Sequence, residues 1–305
     1  MSKIVANRSE IVFLYDVKDS NPNGDPLDEN KPRIDEETMV NLVTDVRLKR
    51  TIRDYLQDYR RIPVFIRESR KDNGTLKTKE NLIDEEGIDS AEKLLGKYID
   101  MRLFGATTAI KKKTITFTGP VQFKIGRSLH KVKLAFMKGT TVMPSKEGLD
   151  QGTFTEQYVL PYSLIGFYGV INENAAKTTG LTEDDVDLLL DGLWNGTKNL
   201  ISRSKVGQMP RLLLKVDYRE SNYHIGDLNI LIRLHGSVPE DEIRDASQYR
   251  LDVTELVSTL KANAPKITGV SVAIDPHLQF EAGGSPVDLK TSLSFAGVPV
   301  KTLTL

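Results

Sequence analysis

The side chains best suited to chemistry lie between Asn21 and Arg53. Asn21-Pro22-Asn23-Gly24-Asp25-Pro26 opens this stretch, Pro32-Arg33-Ile34-Asp35 continues it, and Val43-Thr44-Asp45-Val46-Arg47-Leu48-Lys49-Arg50-Thr51-Ile52-Arg53 closes it. Pro22 and Pro26 lack a backbone donor and Asn-Gly favours positive φ, so the first part is a structured loop. The last part reads as a helix with Thr44 at its N-cap and Asp45 in the favourable first turn. Leu48, Ile52, Tyr55 and Tyr59 recur at helical spacing and face a core, leaving Lys49, Arg50 and Arg53 on another face. A polar loop delivered by a strand and followed by a basic helix suits the gripping of a phosphate backbone. Taken singly, each piece also has a plain reading: a connecting loop and a solvated helix face.

The same loop imitates a calcium site. Asp19, Asn21, Asn23, Gly24 and Asp25 fall at the first, third, fifth, sixth and seventh positions of a calcium-loop pattern. The twelfth position, which needs a bidentate Glu, is Asn30, and Ile11 to Tyr15 before the loop reads as strand, not helix. No metal site is expected there.

The positioning elements belong to a chain of 305 residues, long enough for a large core, with 42 basic and 42 acidic residues. It has no cysteine, which removes disulfides, thiolate catalysis and zinc ribbons, and its four histidines are scattered. No apolar run reaches membrane-span length and Met1 to Arg8 carries no signal-peptide core, so a cytoplasmic protein without a membrane partner is expected. The zero net charge hides segregation. Lys111 to Lys138 holds eight bases and no acid, Arg47 to Lys71 nine bases against three acids, and Lys198 to Arg219 six against one. If these segments converge, a neutral body carries a basic groove.

Along the chain, Ile11 to Val17 reads as strand and the basic helix runs to about Arg60. Arg67 to Ser90 is a charged surface insertion, and Ala91 to Ile99 is helical. Lys111 to Ile125 alternates as a strand kinked at Gly119-Pro120, with Lys124 and Arg127 at its end. Leu129 to Phe154 is an irregular excursion whose Val142 and Met143, held between polar residues, could wedge between bases. Tyr158 to Ile171 is a long strand, and Thr182 caps a helix whose buried stripe includes Trp194's neighbours Leu190 and Leu193. Arg203 and Lys205 lie in the basic turn that follows, before a strand from Leu212 to Tyr218. Further strands are expected at Leu228 to His235, Ile267 to Ile274 and Thr291 to Leu305, with a helix at Thr254 to Ala262. The fold class is α+β, in one domain, and the order of elements is that of the ferredoxin-like split unit of RNA-recognition (RRM-like) folds, without their aromatic signature.

These residues resemble a known family, the repeated backbone subunit of type I CRISPR Cascade complexes, particularly the I-B and I-C forms. The resemblance rests on Tyr15-Asp16-Val17 with the Asn21 to Pro26 loop, on Pro32 to Asp35, and on the Val43 to Arg53 segment. It extends to Asp100-Met101-Arg102-Leu103-Phe104-Gly105-Ala106, Gly119-Pro120-Val121-Gln122-Phe123 with Arg127-Ser128, and Arg203-Ser204-Lys205 before Met209. It implies a hand-like protein: a ferredoxin-like palm, a finger-like insertion at 67–110, a thumb-like loop at 129–157, and a C-terminal part at 220–305 completing the palm. It also implies helical stacking of copies along CRISPR RNA, each gripping backbone and presenting bases to target DNA, among other Cascade subunits and a recruited helicase-nuclease. On this resemblance Asn21, Asn23, Lys49, Arg50, Arg53, Lys124, Arg127, Arg203 and Lys205 bind RNA, and Val142 with Met143 forms the thumb wedge. No catalytic residue and no cofactor are expected.

Two other readings stand beside it. Backbone subunits of type III complexes cut RNA with a loop aspartate, and Asp16, Asp19 and Asp25 could be recruited for metal-dependent cleavage. A lone single-stranded RNA-binding module would instead bind one copy per site whatever the RNA length.

Overall fold

The computed structural model describes residues 3–140, 154–295 and 297–305. The N-terminal part runs β1 (Ser9–Ser20), β2 (Gly24–Asp25), β3 (Lys31–Pro32), β4 (Ile34–Asp35), β5 (Val40–Val43) and α1 (Asp45–Asp58). Then come α2 (Lys79–Glu85), α3 (Ala91–Lys97), α4 (Ile99–Phe104), β6 (Gly105–Ile110), β7 (Lys113–Thr118), β8 (Val121–Phe123), β9 (Gly126–Lys131) and β10 (Ala135–Thr140). The long β11 (Phe154–Ile171) leads to α5 (Glu173–Thr179), α6 (Glu183–Lys198) and β12 (Gln208–Tyr218). The rest is β13 (Arg233–Gly236), β14 (Tyr249–Asp252), α7 (Thr254–Ala262), β15 (Ile267–Ile274), β16 (Phe280–Ala282), β17 (Ser285–Val287), α8 (Leu289–Leu293) and β18 (Val300–Thr302).

The strand β1 is central because it is apolar on both faces. Ile11, Phe13, Tyr15 and Val17 enter one buried cluster and Val12 and Leu14 another, the burial expected of a strand covered on both sides. Its neighbours β11 and β12 both run antiparallel to it. The main sheet has the order β18-β15-β12-β1-β11-β9-β5-β4, with β8 and β10 also pairing β11, and β18 alone is parallel to its neighbour. One face is covered by α1 and α6: Leu48, Ile52, Val186, Leu189 and Leu193 join the cluster of Phe13 and Tyr15. Thr44 caps α1 by accepting the Arg47 N–H at 3.2 Å, and Thr182 with Asp185 forms a reciprocal capping box on α6.

The other face is covered by residues 220–305. Leu228, Ile243, Leu251, Leu256, Leu260 and Leu289 pack on Val12, Leu14, Leu212 and Leu214. The sheet face that RNA-recognition folds leave open to bases is therefore closed here.

Several expectations need correction. The Arg67 to Ser90 insertion contains α2, and Leu82, Ile83 and Ile88 build a third buried cluster with Phe65, Leu94, Tyr98 and Met101. The strand expected over Lys111 to Ile125 is two strands in different sheets, β7 pairing β6 in a hairpin and β8 pairing β11. Its break falls at Gly119, where a Cβ would overlap the Phe104 backbone, while Gly105 opposite has φ +63°. The excursion from Leu129 to Phe154 holds the end of β9 and the whole of β10, and Val142 and Met143 lie outside the described residues. Tyr59 stacks on Tyr55 but is exposed beyond the helix end. Leu228 to Leu231 is a single 3-10 turn, and only Arg233–Gly236 of that strand forms, in a small separate sheet. The last expected strand, Thr291 to Leu305, starts inside α8, where Leu289 and Leu293 are buried one turn apart, and β18 keeps three residues of it.

Candidate nucleic-acid interface

The loop after β1 is fixed from two sides. The Asn21 N–H donates to Ser204 O at 2.9 Å and its side-chain amide to Asn30 O at 2.6 Å. The Ser20 hydroxyl also donates to Ser204 O, at 2.9 Å, and Lys18 N–H to Gly207 O at 3.2 Å. Asn23 Oδ1 accepts from the Thr44 N–H at 2.9 Å and the Thr44 hydroxyl at 3.0 Å, tying the loop to the cap of α1. Asn21 is buried, so these two asparagines orient the loop.

That stitching brings the 202–207 turn against the start of α1. The Lys205 ammonium donates to the Asn21 carbonyl. Burial, and after it the Arg47 guanidinium, push the Lys205 pKa down to about 8. Arg47 donates to the Thr51 hydroxyl at 3.0 Å, and its Nε is buried with no partner among the described residues. Arg203 in the same turn is exposed. Arg33 pairs with Asp25 at 2.7 Å in the loop itself.

The remaining predicted cations divide by burial. Lys49, with its side chain 12% exposed, pairs with Asp45 at 2.9 Å, reaches Gln122 at 3.3 Å and covers the Phe104 ring. Arg53, 11% exposed, pairs at 2.9 Å with the fully buried Asp100, which also accepts the N–H groups of Phe65 and Ile66 at 2.7 and 3.0 Å. Both therefore pin the 65–104 segment to α1. Arg50, 48% exposed, pairs with Asp54 at 2.6 Å on the outer side of the helix. Arg127 on β9 is exposed and reaches Asp35 at 3.4 Å, next to the loop. Lys124 stands apart, pairing with Asp227 of the C-terminal cover above the Tyr168 ring.

The structure thus gathers Asn21, Asn23, Arg203 and Lys205 at one place, with Arg50 and Arg127 on its flanks, and not Lys124. The sequence reading counted Arg47 among the bases of its segment without selecting it. The signal for it was Thr51 four residues on, which places Arg47 on the turn of α1 that faces the sheet rather than water.

The three aspartates do not form a site. Asp16 faces the C-terminal cover, accepts from Arg211 at 2.8 Å and from the Tyr162 hydroxyl at 2.8 Å, and burial raises its pKa. Asp25 is engaged by Arg33 and Asp19 is exposed. Among the described residues no group of three or more histidine and carboxylate side chains converges as a metal would require.

Comparison with known proteins adds three findings. The model of the family described as "CRISPR-associated protein Cas7" matches residues 7–254. A protein of Haloferax volcanii described as "CRISPR-associated protein Cas7" is 34% identical, over 92% of this chain and 91% of its own length. Among solved structures, a chain of a "CRISPR RNA-guided surveillance complex, pre-nicking" has the same fold, with a TM-score of 0.58 at 12% identity over 97% of this chain and 96% of that one. A chain of a second "CRISPR RNA-guided surveillance complex" gives 0.54 at 15% identity, over 91% of this chain and 95% of that one.

Proposed function

Because this chain belongs to the CRISPR-associated protein Cas7 family, we propose that it is a non-catalytic backbone subunit of a type I Cascade complex of the I-B or I-C kind, working in the cytoplasm. Copies stack along the CRISPR RNA, each holding a stretch of its backbone and leaving bases free to pair with target DNA. Other Cascade subunits complete the assembly, and cleavage belongs to a recruited helicase-nuclease. Sequence is read by base pairing, so the protein needs only backbone contacts.

The observation that carries this reading is the loop after β1, tied on one side to the turn that holds Lys205 and the exposed Arg203 and on the other to the cap of α1. Arg47, Lys205 and Arg203 are the proposed inner contacts, and Arg50 and Arg127 the outer ones. Asn21 and Asn23 hold the loop, and Lys49 with Arg53 holds α1 against the proposed finger at 67–110. The strand order β12-β1-β11-β9, with α1 and α6 on one face, supports reading this part as a ferredoxin-like palm. Since residues 220–305 close the second face, the RNA runs along the loop edge and not across the sheet. Val142 and Met143 in the 129–157 segment are the proposed wedge.

Binding of labelled single-stranded RNAs of increasing length, followed by the mass of the complex, tests the proposal. Copies adding stepwise with length are expected, along with intact RNA when magnesium is present. One copy at every length would favour a lone RNA-binding module. Magnesium-dependent cleavage abolished by Asp25→Ala would replace the scaffold with a ribonuclease.

A further inference from the structure

We propose that His130 is an acid-sensitive joint: its neutral ring fastens the end of β9 and the 240–244 turn of the C-terminal cover to β11, and protonation releases both. The inference is independent of the RNA-backbone reading and concerns how firmly the cover is held to the main sheet.

The ring stands where a strand ladder gives out. Between β9 and β11 the ladder consists of Ile165 opposite Ser128 and Gly166 opposite Arg127. At the next position of β11 the Leu164 N–H donates to His130 Nε2 at 3.1 Å, so a side chain continues what the backbone has left off. Nδ1 faces two carbonyl oxygens, Lys131 O at 2.7 Å and Glu240 O at 3.0 Å. These partners fix the tautomer. Nε2 must keep its lone pair to accept from an N–H, and Nδ1 must carry the hydrogen to donate to a carbonyl. His130 is 2% exposed, and its surroundings are braced. Glu240 Oε2 accepts the Lys131 N–H at 3.0 Å, the Ser128 hydroxyl donates to His130 O at 2.6 Å, and the Tyr162 ring of β11 stacks at 5.8 Å.

A second proton has one place to go, Nε2, and there it turns an N–H on the Leu164 N–H. The bond is lost and two buried donors are left unpaired. The titratable and charged groups around the ring do not offset this. Lys131 lies beside it, and the Tyr162 hydroxyl donates to Asp16 at 2.8 Å. In the turn, Asp241 is paired with Lys133 at 2.8 Å and Glu242 is exposed. On β13, which also packs on β9, Arg233 and His235 turn to Glu255 and Glu281 at 2.9 and 2.6 Å. Burial is the strongest influence and holds the His130 pKa below the ordinary histidine range. The hydrogen bonds at Nδ1 and the Glu240 carboxylate pull it up by less, and Arg244 adds to the lowering. An unfolded or released histidine titrates at about 6.5. The joint is therefore fully closed above that pH, and its hold is lost as pH falls from there through the lower value of the closed state.

Hydrogen exchange of the full chain at pH 7.5 and pH 5, corrected for the intrinsic effect of pH, tests the joint. Segments 126–131 and 240–244 are expected to lose about tenfold in protection at pH 5, while the β6–β7 hairpin keeps its own. His130→Gln, whose carboxamide offers an acceptor and a donor and does not titrate, is expected to change less than about twofold. A loss of the same size in that variant, or in the hairpin as well, assigns the acid response to carboxylates and overturns the joint. Nitrogen NMR of the histidine rings needs no variant. His224, His235 and His277 are exposed, so one ring of the four is expected to be an Nδ1–H tautomer at pH 7.5 and to titrate below the others. Four rings that titrate together, or a buried ring with its hydrogen on Nε2, overturn the joint equally.

Discussion

Arg50 and Arg53 are three residues apart on one helix and both salt-bridged, yet the physics of the two pairs is opposite. Arg50 and Asp54 are both open to water, and such a pair contributes within about 0.5 kcal/mol. Arg53 meets a carboxylate with no exposure at all, so its removal strands a buried charge already committed to two backbone N–H groups. Arg53→Ala should therefore destabilise by roughly 3–5 kcal/mol in urea denaturation, and Arg50→Ala should leave the midpoint nearly unchanged. If both prove neutral, Asp100 is not the pin between α1 and the 65–104 segment. The sequence could not separate these arginines, because spacing gives a helix face and not what lies over it. Asp100, the residue that decides the matter, is 47 positions away.

Elements announced by their own local chemistry were legible. Thr44 and Thr182 mark the starts of α1 and α6, α7 spans Thr254–Ala262, and β15 spans Ile267–Ile274 as their patterns require. The β6–β7 hairpin was not legible, and its turn explains why. Lys111 and Lys112 occupy it with φ of +50° and +65°, where a sequence reader expects Asn-Gly. The left-handed conformation costs an L-residue with a long side chain roughly 1–2 kcal/mol. Replacing Lys111 by Asn and Lys112 by Gly should therefore slow hydrogen exchange across Gly105–Ile110 and Lys113–Thr118 by about tenfold. Faster exchange would mean that the lysines stabilise the turn through contacts of their own. The C-terminal error has a different origin. Leu293 and Phe295 alternate as in a strand, but Asp288 accepts the Thr291 N–H at 2.7 Å and starts a helix that uses Leu289 and Leu293 instead.

At the scale of the whole molecule, 42 acids balance 42 bases, so attraction for RNA depends on where the charges lie and not on net charge. The fold decides which bases stand at the loop. Lys49 and Arg53 are paired inside and Lys124 is held over the C-terminal cover, while the exposed Arg203 and Arg127, the latter 3.4 Å from Asp35, stand beside the loop. Closure of the sheet's second face by residues 220–305 removes the aromatic stacking platform, which leaves phosphate contact as the dominant interaction and salt as its sensitive probe. Each lost phosphate contact on a single strand lowers the slope of log affinity against log salt by about 0.7. Arg127→Ala with Arg203→Ala should then flatten the slope by about 1.4 per copy, measured between 50 and 200 mM salt. Lys124→Ala should leave it unchanged. A slope lowered as much by Lys124→Ala as by Arg127→Ala would route the strand past the C-terminal cover, and the loop edge would then be only one part of a longer track.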